Sequence, residues 1–432
     1  MGEPRELFRN LQSRAFRGAD LLADKLSLSK TTLSAEQLML DARRRTGLDD
    51  FGNWSFQEPL RVLVRAYNEE ANLTAFGRFA VRWDMIRFLS NLLRTRDEEK
   101  RNPGIAQTQI SQPTFILGVP RSGTTYLHNL LAKDPGNLVP QCWQTIYPYP
   151  ERGRIATDDA RRKMVARQFA NFLRLVPDLP SLHPLEADAA QECTEITGQV
   201  IQSLRFDTTH YVPSYARWLE GAGHAEAYRF HKRFLQHLQH QKAGGRWILK
   251  SPDHIFALDA LREVYRDARF VFVHRDPMRV LPSVARLTHV LRQPFTRKVD
   301  LVQIGQQVSH RWATGAQLLI DASERLKASP ELVLHLQYRD LVREPFKTVT
   351  AIYKYFGWRL TDRASVKLRR AIDERPNGGY GRNQYRVKDY GINPAVERRL
   401  YHSYITHFHI MPESVAGESA VTDVRGRMIA PG

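Results

Sequence analysis

The first stretch that could do chemistry is a turn bounded by Gly118 and Gly123, between the apolar run "TFILGV" (114–119) and a helical pattern. Its spacing is that of the nucleotide-binding P-loop, G-x-x-x-x-G-K-[ST], but Thr124 stands where the P-loop has lysine. Backbone N–H groups at a helix start still attract an anion, and Arg121 adds a planar cation. Because the missing lysine would reach the β- and γ-phosphates, we predict a shorter anionic end: a phosphate ester, a diphosphate or a phosphosulfate. A turn without a ligand is the alternative.

A second junction, "WILKSPDHIFALDAL", places Lys250 at the end of an apolar run and His254 in the first turn of a predicted helix. Ser251 as N-cap and Pro252 at the first helical position favour a helix start there. Ligands of open parallel sheets bind outside the carboxyl ends of the strands, so Lys250 is predicted to face one. A helix N-terminus keeps a histidine neutral, which makes His254 a candidate general base. The alternative is a surface or capping histidine.

The third junction is "FVFVHRDPMRVLPSVARL", in which Arg275 ends a strand, Asp276 caps a helix and Ser283 lies two turns into it. An arginine and a serine placed in this way suit a second phosphate group. The alternative is a capped helix with solvated arginines, which we favour for Arg279 and Arg286.

These groups must be positioned by strands, and the chain contains several apolar runs of strand length. Their hydrophobicity is continuous rather than alternating, which indicates burial on both faces and therefore a parallel sheet covered by helices. The predicted fold class is α/β, with strands within 114–119, 246–250, 269–275 and 332–338.

The organisation along the chain follows from where the pattern changes. Residues 1–112 read as helices, beginning with an amphipathic segment at 6–26. The α/β domain is predicted to span 113–412 and to carry a long helical insertion at about 155–242. The last residues, 413–432, read as a loose tail.

The composition limits the class of partner and the compartment. A net charge of +18 implies an anionic partner, but the basic residues are scattered and no nucleic-acid motif is visible, so we expect no nucleic acid. Two cysteines without a CxxC pair indicate a reducing, cytoplasmic setting. No apolar run reaches transmembrane length. For the first helix, docking on a membrane surface or on a second subunit are alternatives to burial in its own domain, which we favour.

Taken together, "GVPRSGTT", "LKSPDH" and "VHRDPMRVLPSVARL" resemble the bacterial sulfotransferase family that uses 3′-phosphoadenosine 5′-phosphosulfate (PAPS). The resemblance covers roughly residues 113–395 and implies that family's P-loop-like fold. It implies that Arg275 and Ser283 bind the 3′-phosphate and that Lys250 steadies the bridging oxygen as its bond to sulfur breaks. It also implies that the 5′-phosphosulfate is held by Arg121, Ser122, Gly123, Thr124 and Thr125.

The resemblance implies transfer of a sulfuryl group, in line and without a metal ion, with positioning and electrostatics as the main contributions. We expect His254 to take the proton of the acceptor hydroxyl. Many family members have a glutamate where this chain has Gln144, which cannot act as a base. If His254 is not the base, the segment "HPLEADAAQECTE" offers Glu186, Asp188, Glu192 and Glu195, although a helix start and its polar face explain these acids better.

Two other classes of function stay open at this point. A nucleotide kinase or other P-loop phosphotransferase would share the sheet and the turn, but the Walker lysine and a clear Walker B aspartate are missing. A basic protein that docks on nucleic acid or membrane without catalysis rests on charge alone. The acceptor is expected to be a small molecule or a lipid, because aromatic segments such as "WQTIYPYP" could line an apolar pocket.

Overall fold

The computed structural model describes residues 32–150, 157–242, 244–374 and 387–413. The amphipathic segment predicted at 6–26 lies outside the described residues, as does the predicted tail apart from residue 413. The boundaries proposed for the N-terminal region and for the insertion stay predictions. No helix among the described residues is long and apolar enough to cross a membrane.

A parallel sheet of five strands in the order β2-β3-β1-β4-β5 forms the centre of the described chain. The strands are β1 (Thr114–Leu117), β2 (Asn137–Leu138), β3 (Arg246–Lys250), β4 (Arg269–His274) and β5 (Val333–Gln337). β1 lies between β3 and β4, with Phe115 opposite Leu249 on one side and Phe270 on the other. The sheet confirms the predicted α/β class, and β2 is a short strand that its sequence did not predict.

Helices cover the sheet and form the connections between its strands. Before the sheet lie α1 (Ala35–Thr46), α2 (Gln57–Glu69) and α3 (Ala75–Arg101). Between β1 and β3 lie α4 (Thr124–Leu131), α5 (Cys142–Ile146), α6 (Asp158–Leu175), α7 (Leu179–Leu182), α8 (Thr194–Thr197), α9 (Arg205–Thr209), α10 (Pro213–Ala222) and α11 (Ala225–Gln241). After β3 lie α12 (Leu258–Val264), α13 (Pro277–Arg292), α14 (Leu301–Leu326), α15 (Tyr338–Arg343), α16 (Pro345–Tyr355), α17 (Asp362–Glu374), α18 (Pro394–Leu400) and α19 (His402–His407).

Two apolar clusters cover the two faces of the sheet, as the continuous hydrophobicity of the strands predicts. Because side chains alternate along a strand, Phe115 and Leu117 of β1 point to one face and Ile116 to the other. The first cluster also includes side chains of α1 to α3, α11 and α14, and the second includes those of α4, α16 and α17. The described N-terminal helices therefore share a core with the sheet.

Hydroxyl side chains cap the starts of α1, α3 and the turn after β3. The hydroxyl of Ser34 accepts the N–H of Gln37 at the start of α1, and Gly47 closes that helix with φ of +67°. Thr74 caps α3 by accepting the N–H of Gly77 at 2.9 Å. Ser251 caps the 3₁₀ turn Pro252–Ala257, which leads from β3 toward α12.

Candidate active site

The turn between β1 and α4 requires small residues at two positions. Gly123 has a φ of +89° and directly precedes α4, and a Cβ there would lie 2.8 Å from the Tyr338 ring. A Cβ on Gly118 would lie 2.5 Å from the carbonyl oxygen of Val273. The glycines therefore let the turn lie close against β4 and α15. Gly123 at the N-cap has no side chain that could cap α4, and a helix start of this kind suits an anion.

Arg121 lies at the centre of the residues predicted to bind phosphate. Its Nε donates to Ser283 Oγ at 3.1 Å, and its Nη1 donates to the Leu182 carbonyl oxygen at 2.6 Å. Arg275, which follows β4, donates from Nη1 to the Arg121 carbonyl oxygen at 2.6 Å. The guanidinium of Arg275 also stacks 3.8 Å above the centroid of the Tyr338 ring. The structure thus brings Arg121 of the first junction together with Arg275 and Ser283 of the third.

A carboxylate from the C-terminal part of the chain lies on Arg275. The Oε1 and Oε2 atoms of Glu413 accept from Nε and Nη2 of Arg275 at 2.9 and 3.0 Å. The backbone N–H of Glu413 donates to Asp276 Oδ2 at 3.0 Å, which fixes the approach of the carboxylate. The arginine predicted to bind the 3′-phosphate therefore already holds a doubly bonded anion from its own chain.

β3 carries Lys250 to the carboxyl edge of the sheet, where only 2% of the residue is exposed. Its Nζ forms an ion pair with Glu192, and its carbonyl oxygen accepts the N–H of Cys193 at 3.0 Å. Burial raises the pKa of Glu192, but the Lys250 ammonium outweighs burial, so this pKa lies below its usual range. The lysine that the sequence predicted for the leaving group is thus in place and paired with one of the four candidate acids.

His254, the predicted general base, is not brought to this edge. It is fully buried in the 3₁₀ turn, where Nδ1 lies 2.5 Å from the Tyr228 hydroxyl and the ring packs edge-on against Phe115. Burial, with smaller contributions from neighbouring cations, lowers the pKa of His254 well below its usual range. The turn directs this side chain into the core beside the sheet rather than toward the ligand edge, and we do not retain His254 as the base.

The alternative acids in the segment 186–195 are separated by the structure. Glu195 is buried and pairs with Arg87 at 2.7 Å and with Arg205 at 3.1 Å, which makes it part of the core. Glu186 and Asp188 are exposed side chains at the edge of a second cavity. Glu192 is the member that contacts Lys250.

Two cavities meet at Lys250. The first, about 270 Å³, extends from the turn and Arg275 along α13 and α14, and the second, about 520 Å³, lies beside α4. Both are lined by Thr125, Tyr126, His183, Glu192 and Lys250. Over the described ranges, no group of three or more His, Cys, Asp or Glu side chains is arranged to hold a metal ion.

Sequence reasoning missed four charged residues in the wall of the first cavity: Arg205, Asp253, Arg292 and Arg311. Asp253, three residues after Lys250, is part of this lining. In the sequence it could be read only as an acidic residue in the first turn of a helix. Arg311 also lines it and pairs with the buried Asp207. An arginine within a long amphipathic helix gives no signal of its own in the sequence.

Comparison with known proteins places this site in a family. Residues 113–362 match the model of the sulfotransferase family. The chain is 25% identical over 325 residues to the omega-hydroxy-beta-dihydromenaquinone-9 sulfotransferase Stf3 of Mycobacterium bovis, covering 70% of this chain and 77% of that relative.

Two solved structures share the fold over almost their whole length. Sulfotransferase STF1 from Mycobacterium tuberculosis gives a TM-score of 0.75 at 30% identity, covering 86% of this chain and 98% of its own. Sulfotransferase STF9 from Mycobacterium avium gives a TM-score of 0.80 at 27% identity, covering 89% of this chain and 99% of its own. Since the family match spans more than half of the chain and the fold is shared, the chain belongs to the sulfotransferase family.

Proposed function

We propose that this sulfotransferase takes its sulfuryl group from PAPS and transfers it, without a metal ion, to a hydroxyl or phenol of a small-molecule or lipid acceptor. The choice of donor rests on one observation: Arg121, in the turn that lacks the P-loop lysine, is hydrogen-bonded to both Ser283 and Arg275. Two arginines and a helix start at the same edge suit a donor with two separate anionic groups.

The turn would hold the 5′-phosphosulfate through backbone N–H groups, Arg121 and three hydroxyl side chains. The Ser122 Oγ is buried without a hydrogen-bond partner among the described residues, but Ser122 does not line the first cavity, so its hydroxyl would reach the donor only after a local change in the turn. Thr124 and Thr125 follow in the first turn of α4 and line the same cavity. Arg275 and Ser283 would hold the 3′-phosphate.

Lys250 would stabilise the negative charge that develops on the phosphate as it leaves. Its Nζ now pairs with Glu192, so the bound donor would replace that carboxylate with the bridging oxygen. In-line sulfuryl transfer resembles phosphoryl transfer, in which such electrostatic stabilisation is a large part of catalysis. Glu192 would hold Lys250 at the edge of the sheet until the donor arrives.

The acceptor would enter the first cavity beyond Lys250, where the lining is mainly apolar. The apolar side chains there come from the loop before α9 and from α13 and α14: Leu204, Val284, Leu287, Leu291, Val308 and Trp312. The Stf3 relatives are named for a hydroxylated dihydromenaquinone, which supports an apolar alcohol as acceptor. Two free, buried cysteines fit the cytoplasmic location that we propose.

The donor proposal is tested by calorimetry with 3′,5′-adenosine bisphosphate (PAP), compared with ATP plus magnesium. We expect PAP to bind without added metal, and Arg121→Ala or Arg275→Ala to weaken it about 10- to 100-fold, since each removes a charge-assisted phosphate contact. Arg44→Ala, an exposed arginine on α1, is the control. Binding of ATP with magnesium alone would favour a kinase and overturn the proposal.

A further inference from the structure

Asp253 lies in the wall of the first cavity, three positions after Lys250. It is only 7% exposed, in the 3₁₀ turn that also directs His254 into the core. The neighbouring lining includes Lys250, Leu204 and Trp312. The turn therefore presents this aspartate to the cavity at the position next to the histidine that it buries.

The hydrogen bonds of Asp253 involve only one of its two carboxylate oxygens. Oδ2 accepts from Ser203 Oγ at 2.8 Å and from the Leu204 N–H at 3.0 Å. Over the described residues, Oδ1 accepts no hydrogen bond and the carboxylate forms no ion pair. Oδ1 is also not one of the polar atoms that are both closed to solvent and without a hydrogen-bond partner. The open oxygen is therefore available to accept a hydrogen bond from a molecule in the cavity.

The direction of the reaction decides which carboxylate can receive the acceptor proton. In an in-line transfer, the attacking oxygen and the leaving oxygen lie on opposite sides of sulfur. Glu192 lies beside Lys250, which faces the leaving oxygen in the proposed function, so this carboxylate is on the leaving side even when the donor displaces it from Lys250. Asp253 accepts the N–H of Leu204, one of the apolar residues that would line the acceptor's path, so we take Asp253 as the acid on the attacking side.

We propose that Asp253 is the general base of the transfer, an assignment that rests on the proposed function. Its open Oδ1 takes the proton of the acceptor hydroxyl as that oxygen forms a bond to sulfur. The bond between sulfur and the bridging oxygen breaks, and its electron pair leaves on the 5′-phosphate of PAP beside Lys250. Asp253 then returns the proton to solvent.

The charges around Asp253 suit this role. Burial raises its pKa to about 6, against the hydrogen bonds from Ser203 and Leu204, which lower it. Of the charged groups on neighbouring elements, Glu192 raises the pKa and Arg311 lowers it, while Lys250 pairs with Glu192. A base whose pKa is near 6 is mostly ionised at neutral pH and still accepts a proton well.

The test compares two acceptors, 1-dodecanol and 4-nitrophenol, with PAPS and the full chain. We expect Asp253→Asn to lower kcat with dodecanol at least about 100-fold, and to change little with 4-nitrophenol, which is ionised near neutral pH. A purely structural role would lower both rates equally, and that result would overturn the proposal. Asp259→Asn, an exposed aspartate on α12, is the matched control.

Folding and donor binding are checked separately. Asn can keep the bonds from Ser203 and Leu204 through its carbonyl oxygen, so Asp253→Asn should retain the thermal melting temperature and the PAP affinity of the natural chain.

A second readout is the absorbance of 4-nitrophenol bound to the PAP complex. Repulsion by the ionised Asp253 should raise the pKa of the bound phenol, and this increase should be absent in Asp253→Asn. The proposal would be overturned if the variant showed the same increase, or if neither acceptor bound. If PAP binds but Asp253→Asn has no effect, the base assignment fails while the proposed function stands.

Discussion

Glu413 should compete with the 3′-phosphate of the donor. Its carboxylate bonds to Nε and Nη2 of Arg275 at 2.9 and 3.0 Å, and these are the donors on the edge of the guanidinium that a phosphate group would use. Donor binding through Arg275 therefore requires the carboxylate to leave. We predict that Glu413→Gln strengthens the binding of PAP.

The magnitude follows from how exposed the pair is. The side chains of Arg275 and Glu413 are 19% and 27% exposed, so the pair is neither fully solvated nor fully buried. A bidentate pair at such a position is worth about 1 kcal/mol. Removing it from the donor-free protein should therefore tighten PAP binding about fivefold.

Calorimetry with two nucleotides separates this effect from a general change in the site. Glu413→Gln should tighten PAP but leave adenosine 5′-monophosphate, which has no 3′-phosphate, unchanged. Added salt should reduce the difference between the variant and the natural chain. Glu36→Gln, which removes the exposed pair with Arg61, is the control. Equal tightening of both nucleotides, or no change for PAP, would refute the competition.

Three further outcomes are expected. Lys250→Met should lower kcat about 100- to 1000-fold in a PAPS turnover assay, with PAP affinity nearly unchanged, because the charge acts on the leaving group. Gly123→Ala should weaken PAP binding about tenfold in calorimetry, since its Cβ would meet the Tyr338 ring at 2.8 Å and its φ is +89°. Burial lowers the pKa of His210 and His231 to about 3, whereas the unfolded value is near 6.5. The unfolded chain therefore binds more protons than the folded chain as the pH falls below 6. Each of these two histidines should then reduce the free energy of unfolding by about 1.4 kcal/mol per pH unit, which urea denaturation can measure.

The sheet and the edge at which the candidate site residues meet could be predicted because they depend on local patterns. Strands buried on both faces are apolar without interruption, so β1, β3 and β4 are visible in the sequence. β5 lies at the edge of the sheet and is only partly buried, and its apolar residues still gave it a strand pattern. The carboxyl ends of parallel strands meet at one edge of the sheet, so residues that follow β1, β3 and β4 must come close together. This is why Arg121, Lys250 and Arg275 were predicted together without knowledge of the strand order.

The contacts inside the site depend on details that a pattern does not contain. His254 and Asp253 are adjacent, and which of them faces the cavity is decided by a 3₁₀ turn where the sequence suggested the start of an α-helix. In the two geometries the same residue points in different directions, because 3₁₀ and α-helices differ in residues per turn. The pairs of Lys250 with Glu192 and of Arg275 with Glu413 join segments 58 and 138 residues apart, and no local rule brings them together.

The strand order explains how the site works without a lysine in its turn. β3, β1 and β4 are neighbours, and each contributes one cation at its carboxyl end: Lys250, Arg121 and Arg275. Adjacent strands lie about 4.8 Å apart, so the strands that carry the outer two cations are separated by roughly 10 Å across the sheet. The lysine of a P-loop instead contacts the β- and γ-phosphates, which belong to one linear chain of phosphates. Cations spread over three strands suit a ligand with a reacting anionic end beside β3 and a second anionic group beside β4. In the proposed function Arg275 binds the group that does not react, so Glu413 can pair with Arg275 without touching Lys250.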